Sequence, residues 1–219
     1  MKFFENNSID QFFYEKNKQL FYKLGLINFI QIDETPQYFG YYIDQYDGIL
    51  GRLKAIELAS PKDGDIILDA GCYYGFLSIL CALWADIIGL KLKIIGIDLF
   101  EKNINKCKKN AKLFKLSNVE FYQADLVSIE LIGGVDIQIF YRSLRKDVGK
   151  QPEFMDFYGT NYDKVLNNTI KYLSSKGTII IYDTENDLIE ICYEFLNKEF
   201  NCTKETLYHG FLLKAVKLK

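Results

Sequence analysis

The chain has 219 residues, 49% apolar and 26% charged, the balance of a globular protein with one large domain, or one domain and a small cap. Its net charge of -2 excludes the strong basic bias of a dedicated nucleic-acid binder. Five cysteines (Cys72, Cys81, Cys107, Cys192 and Cys202) are scattered without a C-x-x-C pair, and His209 is the sole histidine, which argues against a zinc site or a disulfide framework and for a reducing compartment.

The N-terminus, MKFFENNSIDQFF, brings polar and acidic residues before any apolar segment, so it does not read as a signal peptide. Apolar runs such as LGLINFI are too short to span a bilayer, and the expectation is a cytoplasmic protein without a membrane partner. Residues 1 to about 60 read as helical and aromatic-rich, with a turn near DETPQYFGYY and a helix over YDGILGRLKAIELAS. They are expected to form a helical cap, residues 1–60, on an α/β domain spanning residues 61–219.

From Asp65 onward strand and helix patterns alternate. DIILDAG is a buried strand, followed by a helix over residues 75–88; LKIIGIDLF is a second strand ending in an acid, and EKNINKCKKNAKLFK a lysine-rich helix. VEFYQAD and VDIQIFY are a third and a fourth strand. TNYDKVLNNTIKYLSS has helical spacing, with Ser-Lys-Gly as its exit. TIIIYD is a fifth strand, NDLIEICYEFLNKEF an amphipathic helix, and CTKETLY with FLLKAVKLK a closing hairpin around His209-Gly210. Continuous apolar strands alternating with helices imply a doubly wound, mostly parallel sheet covered on both faces, here closed by an antiparallel terminal hairpin. That is a Rossmann-like α/β fold.

In such sheets ligands sit at the carboxyl ends of the strands, which directs attention to LDAGCYYGFLSIL, Leu68 to Leu80. Gly71 is followed by Tyr73 where a dinucleotide site wants a second glycine, and no G-K-[ST] follows, so a pyrophosphate is disfavoured. The segment resembles motif I of the class I S-adenosylmethionine-dependent methyltransferases, an acid followed by three alternating glycines. Asp69, Gly71 and Gly75 match that pattern and Tyr73 departs from it. The order of motifs through residues 45 to 219 is similar to the same family, with GGVDIQIF as its fourth-strand motif and the terminal hairpin as its reversed strand.

The resemblance implies S-adenosylmethionine as cofactor, with Asp98 on the ribose hydroxyls and Asp125 near the adenine amino group. Asp125 is also a good turn former, and Asp136 is expected only to start its strand. Tyr73 leaves two alternatives. A positive φ would cost it about 1 kcal/mol and block the cofactor. In an ordinary conformation its ring would lie over the methionine moiety, where an aromatic face suits a sulfonium.

FYRSLRKD leaves the fourth strand where this fold presents the methyl group, so Tyr141, Arg142 and Arg145 are candidate substrate contacts, suited to an anionic acceptor. The family's Asn/Asp-Pro-Pro-aromatic signature is absent, against adenine-N6 or glutamine methylation. His209, in the last hairpin turn, is the candidate general base. Tyr38, Tyr41, Tyr42 and Tyr46, together with the connection RKDVGKQPEFMDFYGTNYD, are candidates for the acceptor pocket. The expected reaction is methyl transfer to an oxygen or nitrogen of a small molecule, by a chain whose aromatic-rich cap leaves a homodimer possible. One alternative is an RNA or protein methyltransferase docking through Lys102, Lys106, Lys108, Lys109, Lys112 and Lys115; another is a non-catalytic module with an altered loop.

Overall fold

The computed structural model describes residues 46–131, 133–145, 160–207 and 210–218. The first described element is α1, Tyr46–Ala59. Then follow β1 (Ile66–Ala70), α2 (Phe76–Ile88), β2 (Lys93–Asp98), α3 (Glu101–Leu113), β3 (Val119–Gln123) and β4 (Val135–Tyr141). Two short strands, β5 (Leu144–Arg145) and β6 (Thr160–Asn161), pair in parallel as a ladder of their own. The chain continues through α4 (Tyr162–Thr169), β7 (Leu173–Asp183), α5 (Asn186–Leu196), β8 (Phe200–Leu207) and β9 (Gly210–Lys217).

Seven strands form one sheet in the order β3-β2-β1-β4-β7-β9-β8. All neighbours are parallel except those of β9, which runs antiparallel to both β7 and β8. The winding reverses between β1 and β4, the switch point at which such sheets bind ligands. The expected Rossmann-like sheet with a reversed terminal strand is therefore the fold. No helix among the described residues is long and apolar enough to cross a membrane.

Strand alternation sorts the core into two layers. On one face Ile67, Ile94, Ile139 and Ile180 pack with α1, α2 and α3; on the other Leu68, Ile97, Phe140 and Ile181 pack with α4 and α5. Helix α2 is buried along most of its length, from Phe76 through Ala85, because it fills the centre of the first layer. The expected helix over YDGILGRLKAIELAS is α1, and its Leu53 and Ile56 are fully buried in that same layer. Lys214 of β9 donates to the Leu58 carbonyl at 2.8 Å, which ties the end of α1 to the reversed strand.

One boundary differs from expectation. The helix read through TNYDKVLNNTIKYLSS stops at Thr169, passes through one 3-10 turn, Ile170–Tyr172, and becomes strand at Leu173. Fully buried Gln138 donates from Nε2 to the Thr169 carbonyl at 2.7 Å and takes an acceptor that a longer helix would use. Ser-Lys-Gly is thus not a helix exit. Val135 opposes Leu173 while Ile137 opposes Thr178, so these residues bulge from β7. A Cβ on Gly177 would lie 2.4 Å from Leu173 Cγ, which explains the glycine in the bulge. Asp136 is structural as expected, accepting from the Ile66 backbone N–H at 3.0 Å to hold β1 beside β4.

Candidate functional site

The loop after β1 is held by backbone before any side chain is considered. The N–H groups of Gly71 and Cys72 both donate to the Ile97 carbonyl, at 2.9 and 2.8 Å, and Gly75 N–H closes a turn onto the Cys72 carbonyl at 2.8 Å. Gly71 has φ 79, and a Cβ there would sit 2.5 Å from Ser143 Cβ. The glycine therefore permits direct contact between the β1 loop and the exit of β4. Gly75, at φ 77, would press a Cβ to 2.9 Å from the Phe121 ring and 3.1 Å from Cys107 Sγ.

Tyr73 takes φ 51, so the loop has the positive φ that a tyrosine disfavours, not the ordinary conformation. That conformation costs about 1 kcal/mol. It aims the Tyr73 N–H at Asp98 Oδ2, 2.9 Å away, and a hydrogen bond to a charged group contributes about 1.5–3 kcal/mol, enough to offset the strain. The Tyr73 ring lies 3.7 Å from that of Tyr74. Lys106 Nζ in turn donates to the Tyr74 hydroxyl at 3.0 Å.

Asp69 is buried at the end of β1, and its Oδ2 accepts from the Ser78 N–H at 3.0 Å and the Ser78 hydroxyl at 2.6 Å. It thereby caps the first turn of α2. Desolvation pushes its pKa up to about 6, against the opposing pull of the Ser78 hydrogen bonds and the Arg52 charge. Asp98 ends β2 and accepts three hydrogen bonds, from Tyr73 N–H on Oδ2 and from Phe100 N–H and Asn103 Nδ2 on Oδ1. Burial raises its pKa and those three donors oppose the rise. A carboxylate has about four lone-pair sites, so Asp98 keeps acceptor capacity for a ligand hydroxyl. Asp125 is exposed; its Oδ1 accepts from Val127 N–H at 2.9 Å in a turn, the plainer of its two expected parts.

At the exit of β4, Tyr141 is buried and stacked on Tyr182, ring centroids 4.3 Å apart. The Arg52 guanidinium lies 4.1 Å over the Tyr141 ring and 4.9 Å from that of Phe76. Burial raises the Tyr141 phenol well above its ordinary range, so it keeps its proton near neutrality. Arg142 is exposed, at φ 55, with its N–H on the Tyr182 carbonyl at 2.9 Å. Ser143 follows, buried, and its Oγ has no hydrogen-bond partner among the described residues. The backbone of Arg145 pairs with Asn161 in the short ladder.

Gly210 opens β9 opposite Leu207, and a Cβ on it would lie 2.6 Å from the Tyr182 hydroxyl. The last hairpin therefore turns at the carboxyl edge of β7. His209 itself lies outside the described residues, as do Tyr38, Tyr41, Tyr42 and residues 146–159. The structure thus brings together Asp69, Gly71, Tyr73, Gly75 and Asp98 around one loop, sets Tyr141 and Arg142 at the neighbouring strand end, and leaves Asp125 in a turn beyond β3. Ser78, Arg52, Asn103 and Ser143 were not singled out by the sequence. Ser143 carries the one readable signal, a hydroxyl two positions past an apolar strand.

A methyltransferase domain family matches residues 61–213, well over half of the chain. The chain belongs to the class I S-adenosylmethionine-dependent methyltransferases. It is 30% identical over 130 residues to the ribosomal protein L11 methyltransferase of Aquifex aeolicus, covering 57% of this chain and 51% of that one. It therefore spans about half the length of that relative. Among solved structures it resembles a SAM-dependent methyltransferase from Aquifex aeolicus, with TM-score 0.61, 17% identity and coverage of 76% and 89% of the two chains. It also resembles an rRNA methylase from Streptococcus thermophilus, with TM-score 0.57, 15% identity and coverage of 78% and 97%.

The cofactor of this methyltransferase is S-adenosylmethionine, and the site fits it on two observations. Asp98 retains acceptor capacity at one end of the loop, and Ser143 offers an orphaned, buried hydroxyl at the other. A buried hydroxyl without a partner costs roughly 1–3 kcal/mol, which a polar ligand group would relieve.

Proposed function

We propose that this methyltransferase transfers the methyl group of S-adenosylmethionine to an oxygen or nitrogen of a small-molecule acceptor at the exit of β4. The observation that carries the reading is the loop itself: bare at Gly71, fixed at Tyr73 by Asp98, with spare acceptor capacity on Asp98 at one end and the Ser143 hydroxyl at the other. In this reading Asp98 accepts from the ribose hydroxyls and Ser143 bonds the amino-acid end. Tyr73 lacks the ordinary conformation that would lay its ring over the methionine moiety, and the ring packs on Tyr74 instead. The cofactor supplies an activated methyl on a sulfonium.

The chain's own work is positioning and exclusion of water. Arg52, held between Tyr141 and Phe76, and exposed Arg142 bias the exit toward an anionic group on the acceptor. Tyr141 and Tyr182 wall it, and α1 closes over them, with Gly51 so near that a Cβ would sit 2.5 Å from the Tyr141 hydroxyl. That roof favours a small acceptor. His209, at the adjoining hairpin turn, is proposed as the base that takes the acceptor proton. Asp69 acts through Ser78, shaping the loop from below. A second reading, an acceptor atom carried on a macromolecule, is favoured by the lysine-rich helix α3.

Calorimetric titration with S-adenosylmethionine and with S-adenosylhomocysteine tests the cofactor site. Micromolar binding is expected. Asp98→Asn is expected to weaken it at least tenfold, since the amide keeps one accepting oxygen and turns its NH2 donor against groups that themselves donate. An absence of heat with either ligand would overturn the reading. A screen of anionic metabolites and sugars for methyl incorporation tests the acceptor class, with single-stranded RNA and ribosomal protein as the contrasting arms.

A further inference from the structure

The lysine-rich helix α3 does more than face solvent. Lys108 and Lys112 stand one turn apart, about 6 Å at 1.5 Å rise per residue, and Lys115 follows just past the helix end. These three lysines rim a groove of about 840 Å³ between α3 and β3, floored by Leu116 and Phe121. Its far wall is Tyr122, half of whose surface is exposed, on a strand at the edge of the sheet.

Glu120 also lines the groove, and its charge is already answered. Lys93 Nζ lies 3.2 Å from its Oε2, and the Tyr122 hydroxyl donates to the same oxygen at 2.6 Å. The carboxylate thus acts as a bracket that holds the ring upright. The groove presents three lysines, an apolar floor and a fixed aromatic face. That combination fits a chain of anions carrying flat, unstacked apolar rings. An acidic peptide would satisfy the lysines and leave the ring unused, and a duplex keeps its base faces stacked. Single strands offer both, with phosphates on lysine and a base on an aromatic side chain.

The strand that walls the groove runs toward the site. Tyr122 pairs with Ile97 and Gln123 with Asp98, so the strand carrying the ring ends in register with the acid of the cofactor loop. From β3 to β4 is three strand spacings, about 14 Å at ~4.8 Å each, a span of a few nucleotides.

We propose that the α3–β3 groove docks single-stranded RNA and feeds it toward the exit of β4. This rests on the second of the two acceptor readings above. The test is fluorescence anisotropy of a labelled single-stranded RNA of about 12 nucleotides, within the ~4–16 nucleotide range of single-strand sites, on the full chain at several salt concentrations. Binding is expected. The triple variant Lys108→Gln, Lys112→Gln, Lys115→Gln should lose at least tenfold in affinity and reduce the salt slope by about 2, given about 0.7 per phosphate contact on single strands. Tyr122→Ala should lose at least fivefold, and Tyr122→Phe, which keeps the ring, should lose less. Absence of RNA binding by the wild-type chain would overturn the proposal, as would a triple variant that binds equally well. Equal competition by polyglutamate would do the same, pointing to an acidic protein partner. Calorimetry with S-adenosylmethionine on the same variants shows that they are folded and separates the two failures. A wild-type chain that binds the cofactor but not the RNA sinks the RNA groove alone, whereas no cofactor binding by the wild type sinks the enzymatic reading.

Discussion

Tyr73 shows how one residue can violate a local rule and still be retained. Its φ of 51 belongs to glycine, yet that geometry points its N–H at Asp98. Tyr73→Gly relieves about 1 kcal/mol of strain and adds about 0.5–1 kcal/mol of chain entropy to lose, so stability by chemical denaturation should stay within about 1 kcal/mol of wild type. Its effect belongs to the ligand. If the ring faces the sulfonium, the preference for S-adenosylmethionine over the neutral product should fall about 2- to 30-fold, the equivalent of a 0.5–2 kcal/mol cation–π contact. An unchanged preference would remove Tyr73 from the site. Asp69 makes a second residue-scale prediction. Its folded pKa of about 6 exceeds the 3.8 of an ordinary aspartate, so the folded chain holds that proton more tightly. The stability this contributes is full below pH 3.8, declines as pH rises through about 6, and is absent above. Asp69→Asn should flatten the fall in unfolding free energy between pH 4 and 6, by up to about 1.4 kcal/mol per pH unit at its steepest. Asp98 and Asp183 are also raised by burial and act in the same direction in both proteins, so the difference isolates Asp69.

At the scale of elements, glycines set the distances between neighbours. Gly96 lies mid-strand in β2, where a Cβ would come within 2.5 and 2.6 Å of two Phe121 ring atoms and 3.0 Å of Ser78 Oγ. The same hydroxyl holds Asp69, so crowding there strains both the sheet and the cap of α2. Gly96→Ala is expected to destabilise by about 1–3 kcal/mol, with an unchanged denaturant slope. A neutral result would mean that Phe121 has room to turn.

For the whole molecule, α1 is part of the same core as α2 and α3. Leu53 and Ile56 are fully buried, and the Lys214 bond from β9 closes the layer over them. Leu53→Ala should therefore cost about 2–5 kcal/mol and shift a single cooperative transition. A two-step melt with an early phase that alone responds to the substitution would show that the helix is a detachable cap.

The sequence by itself determined the parallel sheet, the switch point and the glycine loop. Buried apolar runs, strand-end acids and positive-φ glycines are encoded within a few neighbouring residues. The acids at positions 69 and 98 were legible because strand ends follow from the runs before them. What the acids do was not legible. Asp98 holds Tyr73 across 25 positions, Gln138 ends α4 from 31 positions away, and the Ser143 hydroxyl is orphaned only because the β1 loop covers it. Those facts depend on register between strands and on which side chains meet across it. Local propensity carries no information about such contacts, so only the tertiary structure decided them.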